Sequence, residues 1–410
     1  MEQPSIRVRT LSPIYIPIEL KTGSNRSSKE YQEFRLQLQH AFPQNIVPSS
    51  LSQSAEYETI ESDSWENQLF CWRSSDSAND ITIHVFPNNI GIVAIDHKVV
   101  DNASSKAAAV EAQVQKEATE KITRVYAEFL QSLREVTHFS KTGYFKLGSD
   151  TLDPLNPEIF WISRTLLFDR KSLKAQHQPL IREWLEHTYR PQDAEDIING
   201  TTDYSMTWLN YVVIDASGEQ DERIDAMVLA QYYYSAQEHC NKQLKQAIDD
   251  AYNSTKNEAA QKLLSRSRVK SRLHQVDYHE HLKYLTRTKR RLLEEILLCW
   301  NYDQLTENGH RMIEVCSSKI DETENIKREK SALLTDLLLV ALSFFTVFEL
   351  SLYLTELSRE MMSRPTLDFN DDTRSFMLQF IAEIDTDVMF GSGFFLTLLL
   401  VFIYKIIKSR

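Results

Sequence analysis

Residues 331–354 read SALLTDLLLVALSFFTVFELSLYL, and this stretch decides the architecture of the chain. At 1.5 Å per residue such a helix covers about 36 Å, more than the roughly 30 Å of a hydrocarbon core. A second apolar stretch, 391–407 (GSGFFLTLLLVFIYKII), is just long enough to do the same. The sequence before residue 331 is water-soluble in character. The layout predicts a large soluble body on a two-helix membrane foot, with spans at 331–354 and 391–407. The competing reading, two buried helices of a soluble protein, fits poorly with so long and apolar a first segment.

Charge sets the expected orientation. Lys327, Arg328 and Lys330 precede the first span, and Lys405, Lys408 and Arg410 close the second. The segment between them, 355–390, carries Glu356, Glu360, Asp368, Asp371, Asp372, Glu383, Asp385 and Asp387 against Arg359, Arg364 and Arg374. By the positive-inside rule both termini, including the tail 408–410, face the cytoplasm and this acidic loop faces out. The opening MEQPSIRVRT has no apolar h-region, so no signal peptide is expected. The expected location is the inner (plasma) membrane, with the body in the cytosol.

Hydrophobic residues make up 42% of the chain and charged residues 25%, which is ordinary for a globular protein. Cys71, Cys240, Cys299 and Cys316 are scattered and read as reduced thiols, not as disulfides or zinc ligands. A net charge of −12 argues against a direct nucleic-acid binder.

The first 215 residues are mixed. Residues 5–20 alternate like a strand interrupted by proline, and 24–30 and 47–64 read as polar loops. Ile81–Phe86 and Ile90–Val100 are strand-like, and Pro87-Asn88-Asn89 between them is turn chemistry, so they predict a hairpin. A helix follows over 104–137, with Val110, Val114, Ala118, Val125, Phe129 and Leu133 along one face. Ile159–Phe168 and Met206–Ile214 read as strands, with a short helix near 178–189. This predicts an α+β (α/β-layer) domain over 1–215.

A helical stalk region is expected over 216–330. Helices are predicted at 221–252, 256–306 and 310–354, with Asn308-Gly309 as a C-cap break. The last would run from cytosol into membrane. Its narrow stripe, Ile313, Cys316, Ile320, Thr323 and Ile326, suits a stalk packed on copies of itself.

An α/β cytosolic domain, a stalk helix becoming a first span, an outward loop and a short second span with a basic tail resemble the CorA family of cation transporters. The resemblance covers about the last 190 residues and is closest in GSGFFLTLLLVFIYKIIKSR. The family's Gly-Met-Asn motif, which binds hydrated magnesium at the pore mouth, is absent. Its position reads Thr355-Glu356-Leu357-Ser358-Arg359-Glu360-Met361-Met362. The resemblance implies a homo-oligomer, a pentamer, while the missing motif argues against magnesium selectivity. Divergent CorA-like proteins associated with type III CRISPR systems are similar in layout. They imply an antiviral membrane effector opened by a nucleotide second messenger such as SAM-AMP, an S-adenosylmethionine–AMP conjugate.

Within the first span, Thr335, Asp336, Ser343, Thr346 and Glu349 project into one arc of about 140°. Charged residues inside a membrane are costly and normally face a partner or water. The arc is therefore a candidate pore lining, with helix–helix packing and snorkelling as the alternatives. For a nucleotide pocket the candidates are Arg164, which interrupts an apolar strand, Arg170 at its end, and Trp208 and Asn210 on the next strand. An arginine grips phosphate and an indole stacks on a base. A solvent-facing or ion-paired Arg164 and core tryptophans are the competing reading. His274, His279 and His281 lie near Asp277 and Glu280, but share no single helical face; a regulatory cation site there is open, and no metal ligand set is assigned. The basic run Ser265–Arg272, with Lys289-Arg290-Arg291, reads as a solvated or salt-bridged helix face, with a lipid-headgroup contact or counter-charge for an acidic neighbouring domain as the alternatives.

No nucleotide-binding loop or hydrolase signature is present, so no enzyme is expected. Three functions compete: a ligand-gated homo-oligomeric channel, a CorA-type divalent cation transporter, and a membrane-tethered scaffold.

Overall fold

The computed structural model describes residues 5–20, 29–47, 51, 68–74, 81–100, 106–139, 145–148, 153–170, 173, 175–186, 190, 192–215, 220–253, 258–363 and 376–409. In chain order the elements are β1 (Ser5–Tyr15), β2 (Ile18–Leu20), α1 (Lys29–Ala41), β3 (Ile46–Val47), β4 (Phe70–Arg73), β5 (Ile81–Phe86) and β6 (Ile90–Val100). Then come α2 (Ala107–Phe139), β7 (Phe145–Leu147), β8 (Ser163–Asp169), α3 (Gln178–Glu186), α4 (Gln192–Asn199), β9 (Tyr204–Met206) and β10 (Asn210–Asp215). Six helices complete it: α5 (Gln220–Asn253), α6 (Glu258–Leu282), α7 (Arg287–Cys299), α8 (Tyr302–Ser363), α9 (Phe376–Glu383) and α10 (Thr386–Ser409). The chain divides into two compact units, Met1–Ser318 and Lys319–Arg410.

The first unit is built on an eight-stranded sheet of order β3-β4-β5-β6-β1-β8-β10-β9. Only β8 and β10 pair in parallel; the other neighbours are antiparallel. The β5–β6 hairpin turns through Asn88 and Asn89, at φ 64° and 65°. Asparagine tolerates this left-handed region because its side chain bonds locally. Helix α2 covers one face, and its stripe from Val110 to Leu133 is buried as the periodicity predicts. Trp72, Ile83, Val93 and Ile95 lie in the core beneath it.

The other face is covered by α5, whose Met227, Tyr232, Tyr233 and Ala236 share a core with Leu11, Tyr211 and Val213 of the sheet and Leu293 and Ile296 of α7. Of the segment expected as stalk, α5 is therefore the second cover of the sheet, with α6 and α7 packed on it. The expected helix 256–306 is divided between α6, α7 and the first turn of α8. Thr286 caps α7 by accepting from Lys289 N at 3.3 Å, and Asn301 at φ 53° separates α7 from α8. Asn308-Gly309 is no break: α8 runs through it. A Cβ on Gly309 would lie 2.6 Å from Gln237 Nε2 and 2.8 Å from Asn241 Oδ1. The glycine serves close helix packing, and the sequence signal for a cap was the signal for an approach. Ile313 and Cys316, the start of the expected oligomer stripe, are already buried within this unit, next to the Arg268–Ser317 contact of 3.3 Å.

The expected strand 206–214 is also corrected. Leu209, at φ 69°, reverses the chain, so β9 and β10 form an antiparallel pair and Trp208 sits in the turn between them. Of the polar loops expected early in the chain, residues 24–28 and 48–64 lie outside the described residues except Leu51.

In the second unit the expected loop 355–390 is largely helical where described: α8 continues to Ser363, and α9 and the start of α10 follow. Residues 364–375 lie outside the described residues. Among the described residues one helix, Tyr302–Glu360, is long and apolar enough to cross a membrane, and its apolar window is wholly unburied. α10 has a shorter apolar stretch, Asp387–Leu399. The two helices touch through Phe344 and Phe348 against Phe390, with ring centroids 6.2 and 5.1 Å apart, and through Phe344 against Phe394 at 5.8 Å.

Three histidines of the first unit are buried neutral. Burial pushes His84, His239 and His274 down to about 4, assisted by Arg9 at His84 and by Lys270 at the other two. A base with a depressed folded pKa takes up its proton first in the unfolded chain. Its contribution is intact above about pH 6.5 and is lost as pH falls toward 4. At pH 5 each histidine is expected to cost about 2 kcal/mol. The urea midpoint of this unit should fall sharply between pH 7.5 and pH 5; a constant midpoint would contradict the burial of these rings as neutral groups.

Candidate functional site

Of the four residues named from sequence as a nucleotide pocket, Arg164 and Asn210 are brought together, and Arg170 and Trp208 have other partners. Arg164 and Asn210 are direct neighbours in the parallel β8–β10 register. Arg164 Nε donates to Asn210 Oδ1 at 3.0 Å and Nη1 to Gln115 Oε1 at 3.4 Å. Asn210 Nδ2 donates to Glu111 Oε1 at 2.6 Å and to the Trp184 carbonyl at 3.2 Å. Burial lowers the guanidinium pKa while Glu111 opposes that shift. This is a hydrogen-bonded network on the α2 face, in which Asn210 stands between Arg164 and Glu111. Arg170 is engaged elsewhere, with Asp203 and with the carbonyls of Ile197 and Thr202 at 3.3 and 3.4 Å.

Trp208 is on the opposite face. Its ring meets Trp161 at 5.9 Å, Tyr234 at 5.3 Å and Trp300 at 5.4 Å, among side chains of α5 and the α7 end. Arg164 and Trp208 thus make their contacts on opposite faces of the sheet.

In α8, the hydroxyls of Thr335, Ser343 and Thr346 donate to the carbonyls of Ser331, Leu339 and Leu342 at 2.8–2.9 Å. Such back-bonding satisfies a hydroxyl without water. Thr335, Ser343, Thr346 and Glu349 are exposed and Asp336 is half-buried. The α10 rings seat on Phe344 and Phe348, a different side of α8 from the centre of the polar arc.

Two of the three α6 histidines, His274 and His281, go into packing, and His279 is exposed. His274 Nδ1 pairs with Asn88 Nδ2 at 3.1 Å, and His281 Nδ1 with the Tyr233 hydroxyl at 2.6 Å. Among the described residues no group of three or more His, Cys, Asp or Glu could hold a metal ion. The basic run is partly buried too: Ser267 and Ser271 are buried, and Lys270 Nζ donates to Asn89 Oδ1 at 2.6 Å.

The site that sequence reasoning missed is a cavity of about 520 Å³ on the α5 face. Its floor is the polar side of four strands. Arg73 of β4 pairs with Thr82 of β5, which pairs with Ala94 of β6; Cys71 and His84 lie to one side, Asp96 and Arg9 to the other. The small Ala94 side chain leaves the space. The roof is the start of α5, with Asp221, Glu222 and Asp225, and the start of α7, with Thr286 and Lys289.

The charges are organised. Arg9 Nε and Nη2 meet Asp96 Oδ1 and Oδ2 at 2.6 and 2.7 Å, a bidentate pair. Lys289 Nζ lies 2.9 Å from Asp225 Oδ2, both buried. Gln68 Nε2 donates to His84 Nδ1 at 3.3 Å, so the proton of this neutral ring sits on Nε2. Burial pushes the Cys71 thiol up to about 12, so it is a protonated thiol and no nucleophile. The available signal was alternation: Cys71/Arg73, Thr82/His84 and Ala94/Asp96 are every-other residues on strands whose alternate positions are core.

No protein-family model matches the chain, and comparison with curated proteins and with solved structures finds no match.

Proposed function

We propose that the chain is a homo-oligomeric membrane channel anchored by a two-helix hairpin, α8 and α10, and gated by its α/β unit. The observation that carries this reading is the long apolar stretch of α8, uncovered in the single chain, with Asp336 and Glu349 on an arc not centred on its α10 contact. One chain cannot enclose a water-filled path, so the arc needs copies of itself, and a ring of carboxylates is a usual device for cation selection. The layout similar to CorA supports a pentamer, and the absent Gly-Met-Asn motif supports conduction other than selective magnesium uptake. The orientation of both termini to the cytoplasm follows from the flanking lysines and arginines. A type III CRISPR effector role, with a nucleotide messenger as trigger, is the physiological setting that the resemblance supports.

The test is ion flux through liposomes carrying the full chain. Asp336→Asn with Glu349→Gln should still insert and assemble, because removing charge from a span eases insertion. It should lose most cation-over-anion selectivity. Unchanged flux and selectivity in the double variant, or a monodisperse monomer in mild detergent, would leave the membrane-tethered scaffold as the better reading.

A further inference from the structure

We propose that the outward face of α6 pairs with the same face of a second copy of this chain, antiparallel and about a two-fold axis. A surface helix normally keeps its apolar stripe inside and its polar one in water. In α6 the division is different. Ser267, Ser271, His274 and His281 are buried beside Ala260 and Leu264, while Val269, Leu273 and Val276 are 41%, 47% and 55% exposed. Apolar side chains scattered singly over a surface need no explanation, but these three are in register.

They belong to one seam. Lys262, Arg266, Val269, Leu273, Val276 and Glu280 follow one another at alternating steps of four and three, the spacing of the contact positions of a coiled coil. They project into an arc of about 80°. The first five are exposed, and the Glu280 side chain is 46% exposed.

The charges at the ends select the occupant and its direction. Set antiparallel with Val269 opposite Leu273, two copies of the seam place every contact position opposite another. Val269 and Leu273 of each copy form the centre, Arg266 lays its stem over Val276, and Lys262 meets Glu280 at both ends. A parallel pair would set Lys262 against Lys262, Arg266 against Arg266 and Glu280 against Glu280. In the single chain Glu280 holds Lys283 at 2.6 Å, an exposed pair that is readily exchanged because such pairs contribute little.

An isologous contact cannot close a five-membered ring, so this pairing lies beyond the assembly proposed above and joins copies of two such assemblies. It rests on that reading in one respect. A seam of about 27 Å holds weakly in dilute solution, and the span confines the copies to one membrane, where their effective concentration is high. Insertion and ion flux are measured without this contact, so failure of one reading is distinguishable from failure of the other.

The experiment is oxidative cross-linking of the full chain in native membranes, with Cys299→Ser as the background because Cys71, Cys240 and Cys316 are buried. Two differently tagged copies are produced together, one with Val269→Cys and the other with Leu273→Cys, and treated with copper phenanthroline. A disulfide-linked pair carrying both tags is expected. Val276→Cys should not link to itself, because the two copies of that position lie about 15 Å apart along the antiparallel seam. Lys262→Glu sets like charges at both ends and should cut the linked fraction about fivefold, and adding Glu280→Lys should restore it. The proposal is overturned if the mixed pair does not link, if Val276→Cys links to itself, or if the linked fraction fails to fall with Lys262→Glu or to recover with the exchange. An unlinked Leu273→Cys that anionic liposomes shield from maleimide would assign the face to a membrane surface instead.

Discussion

Leu338→Arg combined with Phe345→Arg should move the protein out of the alkali-resistant membrane fraction. The two residues are 61% and 65% exposed in the single chain. They project to about 200° and 180° when Asp336 is set at 0°, clear of both the α10 contact and the centre of the polar arc. On a soluble surface, arginine at two exposed positions would be almost neutral. At the centre of a span each exchange of Leu or Phe for Arg costs roughly 3–4 kcal/mol, so the pair opposes insertion by about 6–8 kcal/mol. The measurement is carbonate extraction of membranes from cells producing wild type and variant. A wild-type chain extracted as readily as the variant would show that α8 is not a span.

Asp225→Ala should destabilise the α/β unit by about 3–5 kcal/mol, the usual penalty for leaving half of a buried ion pair. Asp225 and Lys289 are 2.9 Å apart, with side chains 10% and 4% exposed. The control is Asp225→Leu together with Lys289→Met. Removing both charges also removes the desolvation penalty, so the double variant should recover most of the loss. Urea denaturation of the three proteins reads this directly. Additive losses in the double variant would mean that the two groups do not stabilise each other. The pair also ties the start of α5 to the start of α7, the two helices that roof the cavity.

The elements that could be read from sequence are those whose signal is local. The β5–β6 hairpin needs only two alternating runs and a turn, and the α2 stripe needs only a period of 3.6 residues. Elements that were missed, among them α1, β3, β4, β7, α4 and α9, are short or flanked by polar segments, and their pattern is too brief to stand out. Gly309 shows a different failure. Asn-Gly is a good C-cap pair in isolation, but here the residue yields space to Gln237 and Asn241. Packing between distant helices overrode local propensity.

The functional residues divide in the same way. Arg164 and Trp208 stand out as isolated events in apolar surroundings, but a single left-handed residue, Leu209, sends them to opposite faces of the sheet. Arg9 and Asp96 drew no attention singly, yet the β1–β6 register sets them face to face across 87 positions of sequence. By itself the sequence determined the apolar stretch of α8, the alternation of the strands and the mixed character of the first 215 residues, because backbone periodicity and burial of apolar surface are written locally. Only the tertiary structure decided which polar strand faces meet, which helix starts roof them, and that a cavity remains between. Those depend on strand order and register, which are set by contacts between segments far apart in the chain.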